Sequence, residues 1–319
     1  MPRCAPLVPV GHAADRPLRP APLAMAVPAM AVLALTLLLG VTSTSPLRAQ
    51  STATAMPLQP PHTLVTESPA VRACVDAAWT GATGVDGSTL IADARTGVLV
   101  AGHAERVDRP LIPASTFKII SALVALETGV IADAQTVIPW DSVTRDRPEI
   151  NRDLDLQTAF RLSAVPHFQS LVRRIGSVRM QQALDTIGYG NRNIGGGIDQ
   201  FWLTGALRIS PRGQVAVLTR LLHDELPLSR RSMAIVRAMM VNEATASYTI
   251  RAKTGLTTPP GSETVGWWVG WVERGPAVHV FATALEAAAP TAGFNAQRLA
   301  VTRCALQALS ILPVVPPEP

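Results

Sequence analysis

PASTFKIISA, residues 113–122, contains one of only two lysines in a chain with 28 basic residues; the other is Lys253. A guanidinium stays protonated in a protein, whereas a lysine amine in an apolar pocket can lose its proton and enter chemistry. The stretch continues as TFKIISALVALETG, residues 116–129, with apolar residues at helical spacing and Gly129 as a stop signal. Ser115 and Lys118 stand i, i+3 at the start of this helix, which puts both side chains on one face. Serine is a weak nucleophile until a base comes within hydrogen-bond reach, and a neutral lysine one turn on can be that base. The helix N-terminus favours negative charge developing beside Ser115. Taken alone, S-x-x-K is a weak motif that a capping serine and a surface lysine also produce.

The flanking chain supplies the rest of a fold. ESPAVRACVDAAW (67–79) predicts a first helix, and STLIADARTGVLVAG (88–102) a β-hairpin turning at residues 93–97. The middle reads as helical: Pro166 opens PHFQSLVRRIG, Ser210-Pro211 opens another helix, and SRRSMAIVRAMMV is a third. YTIRAKTG, GWWVGWVE and AVHVFATAL then read as three strands, and AQRLAVTRCALQALSIL as a closing helix. This order predicts an α+β fold, a helical lobe beside an antiparallel sheet flanked by terminal helices. Lys253-Thr254-Gly255 is expected to end the first late strand. Its lysine and threonine can bind an anion, and its glycine lets another backbone or a ligand approach closely.

The chain has 319 residues, 48% hydrophobic and 16% charged, a composition that excludes disorder. Arg3, Arg16 and Arg19 precede the apolar run AVLALTLLLGV (31–41), the pattern of a secretory leader over residues 1–49, with cleavage as late as Ala55; an uncleaved anchor is the alternative. The domain of interest is then 50–319, beginning with a Thr- and Pro-rich lead-in over 50–64, and the protein is expected to be periplasmic or secreted, with no stable membrane partner once the leader is cut. Without the leader the charge balance is 24 basic against 22 acidic residues, or +2, with no polybasic run, so nucleic acid is not an expected partner. Histidines are scattered singly, and no metal is expected. Cys74 and Cys304 are the cysteines left after the leader, and they form either a bridge tying the two ends of the domain or two buried thiols.

Four motifs in order now carry a resemblance. PASTFK, SAV at residues 163–165, YGN at 189–191 followed by NIGGGIDQFWL, and KTG followed by GWWVGWVE resemble the signature of the class D serine β-lactamases, within the wider group of serine β-lactamases and penicillin-binding proteins. The resemblance covers residues 65–311. It implies Ser115 as the nucleophile that opens a β-lactam ring. It implies that Lys118 carries a carbamate formed from carbon dioxide (N6-carboxylysine), the family's general base, with no other cofactor. Trp202 would hold that carbamate through its indole N–H, and Val165 and Phe117 would supply apolar walls. Ser163 would relay a proton to the leaving nitrogen; read without the family, it caps the helix opened by Pro166. Tyr189 would border the site. Lys253, Thr254 and Arg298 would hold the substrate carboxylate beside Gly255, and the N–H groups of Ser115 and Leu256 would form the oxyanion hole.

No glutamate falls between Tyr189 and Leu207, so a deacylating base of the class A kind is missing there, and a modified Lys118 would supply one. In WDSVTRDRPEINRDLDL (140–156) the family's apolar cleft-edge positions hold Arg147 and Ile150, which bears on substrate preference. The expected activity is hydrolysis of β-lactam antibiotics, small-molecule substrates. The alternatives are a non-hydrolysing β-lactam sensor domain, a D,D-peptidase and an inactive exported scaffold.

Overall fold

The computed structural model describes residues 64–78 and 85–314. The leader expected over 1–49, its cleavage site and nearly all of the lead-in lie outside these residues.

In chain order the strands and helices are β1 (Val65–Glu67), α1 (Pro69–Ala77), β2 (Val85–Asp93), β3 (Leu99–Gly102), α2 (Lys118–Glu127), β4 (Val137–Ile138) and β5 (Leu154–Asp155). There follow α3 (Leu156–Arg161), α4 (Val165–Ile175), α5 (Ser177–Ile187), α6 (Pro211–Leu222) and α7 (Arg230–Met239). The chain then forms β6 (Val241–Ala244), β7 (Thr249–Thr257), β8 (Thr264–Arg274), β9 (Ala277–Ala287) and α8 (Phe294–Ala308). Seven strands form one sheet in the order β1-β3-β2-β9-β8-β7-β6, and β4 and β5 form a separate two-stranded ribbon.

Side-chain alternation along β8 explains why helices cover both faces of the sheet. Successive residues of a strand point to opposite faces. Trp267, Val269 and Trp271 belong to the large core of the helical lobe, whereas Trp268 and Val272 join Val71, Phe281 and Leu306 in the core under α1 and α8. A strand buried on both faces reads as a continuous apolar run, and GWWVGWV is one. At the turn between β2 and β3 the Asp93 carboxylate accepts from the N–H groups of Arg95 and Thr96, and Gly97 takes φ 73°. Helices start on side-chain caps: Ser68 for α1, Asp155 for α3, Ser210 for α6 and Ser229 for α7. Glu127, at the end of α2, accepts from both Ser229 and Ser232 and so ties α2 to the start of α7.

The α+β fold is as expected, and two details of its sheet differ. The sheet is mixed, because β1 pairs in parallel with β3, Val65 opposite Leu99. Three residues are too few to show a period, so nothing in the sequence marks β1 as a strand. Lys253-Thr254-Gly255 does not end its strand either; β7 runs on to Thr257 in register with Val265 of β8. At the far end of the fold the Cys74 and Cys304 sulfurs are bonded, joining α1 to α8 with their Cα atoms 5.7 Å apart.

Candidate active site

Helix α2 is the centre of the lobe, buried continuously from Lys118 to Leu126. One 3-10 turn, Ala114–Phe117, feeds it and carries Ser115, which is 6% exposed. Lys118 is fully buried, and its Nζ donates to Ser115 Oγ at 2.8 Å. The Phe168 ring of α4 lies 5.4 Å from that amine. Burial holds the Lys118 pKa well below the ordinary lysine value, and the positive charges of Lys253 and Arg147 push in the same direction. Burial and both charges thus disfavour the protonated amine.

Strand β7 brings the second lysine to this point. Lys253 Nζ donates to Ser163 Oγ at 3.0 Å and to the carbonyl of Thr254 at 3.0 Å. Burial, then Arg298, then Arg147 pull its pKa down to about 7. Ser163 is not a helix cap: the cap position of α4 is Ala164, and no side chain bonds there. Its φ of 54° is left-handed, as is the φ of 50° at Ala114, next to Ser115. Such backbone costs about 1–3 kcal/mol per residue and collects where a fold holds a functional group in place.

Gly255 explains how β7 reaches Ser115. A Cβ there would meet the Pro113 carbonyl oxygen at 3.0 Å, Thr116 Cγ2 at 3.1 Å and Trp267 Cβ at 3.2 Å. The close neighbour that this glycine admits is the backbone of the nucleophile turn, which Trp267 also fastens by donating from Nε1 to the Ile112 carbonyl at 2.8 Å. Gly255→Ala should therefore push the turn away from the strand, destabilise the fold by about 1–3 kcal/mol and lower activity more than stability accounts for. Activity measured well below the melting temperature, alongside thermal melts, checks this; an active variant of unchanged stability would show that the contact is not needed.

The parity of β7 places one more donor. The Ala252 N–H donates to the Met240 carbonyl on the β6 side. The N–H groups of Thr254 and Leu256 then point to the same edge, where no strand among the described residues pairs with them. Behind β7, Gly266 lets α8 approach, since a Cβ there would meet Phe294 at 2.8 Å. That contact delivers Arg298, 8% exposed, whose Nη1 donates to the Gly255 carbonyl at 2.5 Å and whose pKa burial lowers to about 10.

Trp202 and Tyr189 sit against Phe117, with ring centroids 5.6 Å away in each case. The Trp202 Nε1–H is buried and makes no hydrogen bond among the described residues. Tyr189 differs from expectation. It is 1% exposed, packed edge-on against Phe117, and its phenol pKa is raised by burial; it supports the nucleophile turn from behind and offers no substrate surface. Val165 is the first residue of α4 and half-buried, but the ring recorded over Lys118 is Phe168, one turn on. Sequence reading missed Phe168, although its i+3 spacing from Val165 marks the same helix face. Phe160 was missed as well and covers Lys253 at 5.7 Å. Ile150 is 4% exposed and belongs to the core, which leaves Arg147 alone at the rim, where its Nη2 donates to the Leu162 carbonyl at 2.9 Å. Among the described residues, no group of three His, Cys, Asp or Glu side chains is placed to hold a metal.

This serine–lysine site on a mixed sheet has known counterparts. Residues 87–304 match the penicillin binding protein transpeptidase domain. The chain is 43% identical over 211 residues to the β-lactamase OXA-48 of Klebsiella pneumoniae, covering 66% of this chain and 78% of that one. It is 44% identical over 203 residues to OXA-5 of Pseudomonas aeruginosa, covering 62% and 75%. The crystal structure of the class D β-lactamase YbXI from Nostoc superposes with a TM-score of 0.71 at 38% identity, over 76% of this chain and 99% of that one. The chain belongs to the class D serine β-lactamases.

Proposed function

We propose that the protein hydrolyses β-lactam antibiotics through an acyl-enzyme on Ser115, with a carbamate on Lys118 as the general base. The observation that carries this reading is the buried Lys118 amine, 2.8 Å from Ser115 Oγ, whose burial disfavours the protonated form. Only a neutral amine adds carbon dioxide, and Trp202 adjoins Phe117 with a buried N–H that has no acceptor among the described residues, so the residues present fit the group. When bound, the carbamate supplies an anionic oxygen able to take a proton. Ser115 Oγ attacks the ring carbonyl and breaks the amide bond. The N–H groups of Ser115 and Leu256 would receive the developing oxyanion. Ser163, hydrogen-bonded to Lys253, would pass a proton to the leaving nitrogen, and a Lys253 of pKa about 7 can share in that transfer. Lys253, Thr254 and Arg298 attract the substrate carboxylate. The Cys74–Cys304 bond and the apolar leader support export to an oxidising compartment.

The test is turnover against bicarbonate at fixed, mildly acidic pH, with carbon-13 NMR of labelled enzyme. As pH falls the amine takes up a proton and can no longer bind carbon dioxide, so degassed acidic enzyme should lose activity and bicarbonate should restore it. Lys118→Arg should be inactive at every bicarbonate concentration. A flat bicarbonate curve with no carbamate resonance in active enzyme would leave Lys118 as a plain amine base. Acylation that stops at one equivalent would mark a sensor, and the absence of any burst a scaffold.

A further inference from the structure

Arg147 stands at the rim of this cleft and bonds none of the reacting groups above, acting on the two lysines only through its charge. It projects from residues 141–151, a loop pinned in two places. Arg145 binds the Asp141 carboxylate through Nη1 at 2.8 Å and Nη2 at 2.6 Å, which holds the Asp141 pKa at about 2. The Asn151 side chain accepts from Arg145 N at 3.0 Å and donates to the Arg145 carbonyl at 2.8 Å. Arg147 is therefore presented from ordered backbone. Its Nη2 holds the carbonyl of Leu162, the residue before Ser163, and its Nε donates to Glu149 Oε1 at 2.9 Å. Nη1 makes no hydrogen bond among the described residues, and the side chain is 49% exposed. Its charge reaches both Lys118 and Lys253. Lys253 already bonds Ser163 and Arg298 bonds the Gly255 carbonyl, so Arg147, held on the Leu162 carbonyl, adds a further cationic position at the rim, with Glu149 as its carboxylate partner among the described residues. A guanidinium with a free N–H edge suits a carboxylate.

We propose that Arg147 sets substrate preference, favouring β-lactams whose acyl side chain carries a second carboxylate in addition to the one on the ring. This rests on β-lactam hydrolysis as the activity of the site. Benzylpenicillin and carbenicillin form a matched pair, since carbenicillin differs by a carboxylate on the side-chain α carbon. The quantity to measure is the ratio of kcat/KM for carbenicillin to that for benzylpenicillin, in the wild type, Arg147→Leu, Arg147→Lys and Glu149→Gln. Arg147→Leu should lower the ratio about fivefold, the reach of a half-exposed ion pair. Arg147→Lys should keep part of the preference, and Glu149→Gln should raise it by releasing the guanidinium. Added salt should lower the wild-type ratio and leave that of Arg147→Leu nearly level. A ratio in Arg147→Leu within about twofold of wild type would overturn the assignment. Equilibrium binding of the two penicillins to Ser115→Ala protein, with and without Arg147→Leu, reads the same preference without turnover. Failure to hydrolyse benzylpenicillin would therefore count against the activity, and an unchanged binding ratio against Arg147.

Discussion

Ser115→Ala protein should fold as the wild type does and hydrolyse β-lactams at least about a thousandfold more slowly, the scale of loss seen when a nucleophile is removed. The hydroxyl is the only part of Ser115 that the substitution deletes, and its recorded side-chain partner is the Lys118 amine. The loss should therefore fall on chemistry and not on stability. The variant still has Lys253 and Arg298, so a penicillin should bind reversibly and leave no covalent mass on the protein. Intact-mass spectrometry after mixing, together with steady-state turnover, decides the matter. A folded variant that keeps a tenth of the wild-type rate, or that still acquires the mass of the drug, would remove Ser115 from its role.

Replacing both bonded cysteines, Cys74→Ala with Cys304→Ala, should cost roughly 5 kcal/mol of stability, because the bond closes a loop with a sequence separation of 230 residues. For a domain of this size that lowers Tm by about 10–20 °C. Reducing agent should reproduce the shift in the wild type and do nothing to the variant. Scanning calorimetry on both proteins measures it. A Tm change below about 3 °C, which corresponds to roughly 1 kcal/mol, would show that packing of α1 on α8 suffices without the bond.

Local spacing was legible in the sequence, and so were long periodic segments. The i, i+3 placement of Ser115 and Lys118 needs only helix geometry, and the structure holds them 2.8 Å apart. The apolar run of β8 and the capped start of α6 at Ser210 each announce themselves within a dozen residues. Long-range contacts were not legible. That β7 continues past Gly255 depends on β8 offering partners as far as Val265. Tyr189 reads as a site residue by its place in the chain and becomes a supporting one because Phe117 packs across it. Ser163 reads as a cap because Pro166 follows, yet its backbone turns left-handed and its hydroxyl serves a lysine 90 positions away. Ile150 and Arg147 lie three residues apart, and one enters the core while the other stays at the rim.

The unpaired edge of β7 has a consequence for solubility. Strand β6 covers this edge along Thr249, Ile250 and Arg251, and Ala252 is tied to Met240; beyond that point no strand among the described residues lies alongside. Exposed edges are templates on which other chains can add strands and aggregate. Here the open length runs from Lys253 to Thr257, and the nucleophile turn is wedged against it at Gly255. The gap leaves the N–H groups of Thr254 and Leu256 without a strand partner among the described residues, so the donors that could grip a small amide also mark a place where an added strand could start. The opening that would admit a drug is therefore also a place where aggregation could begin.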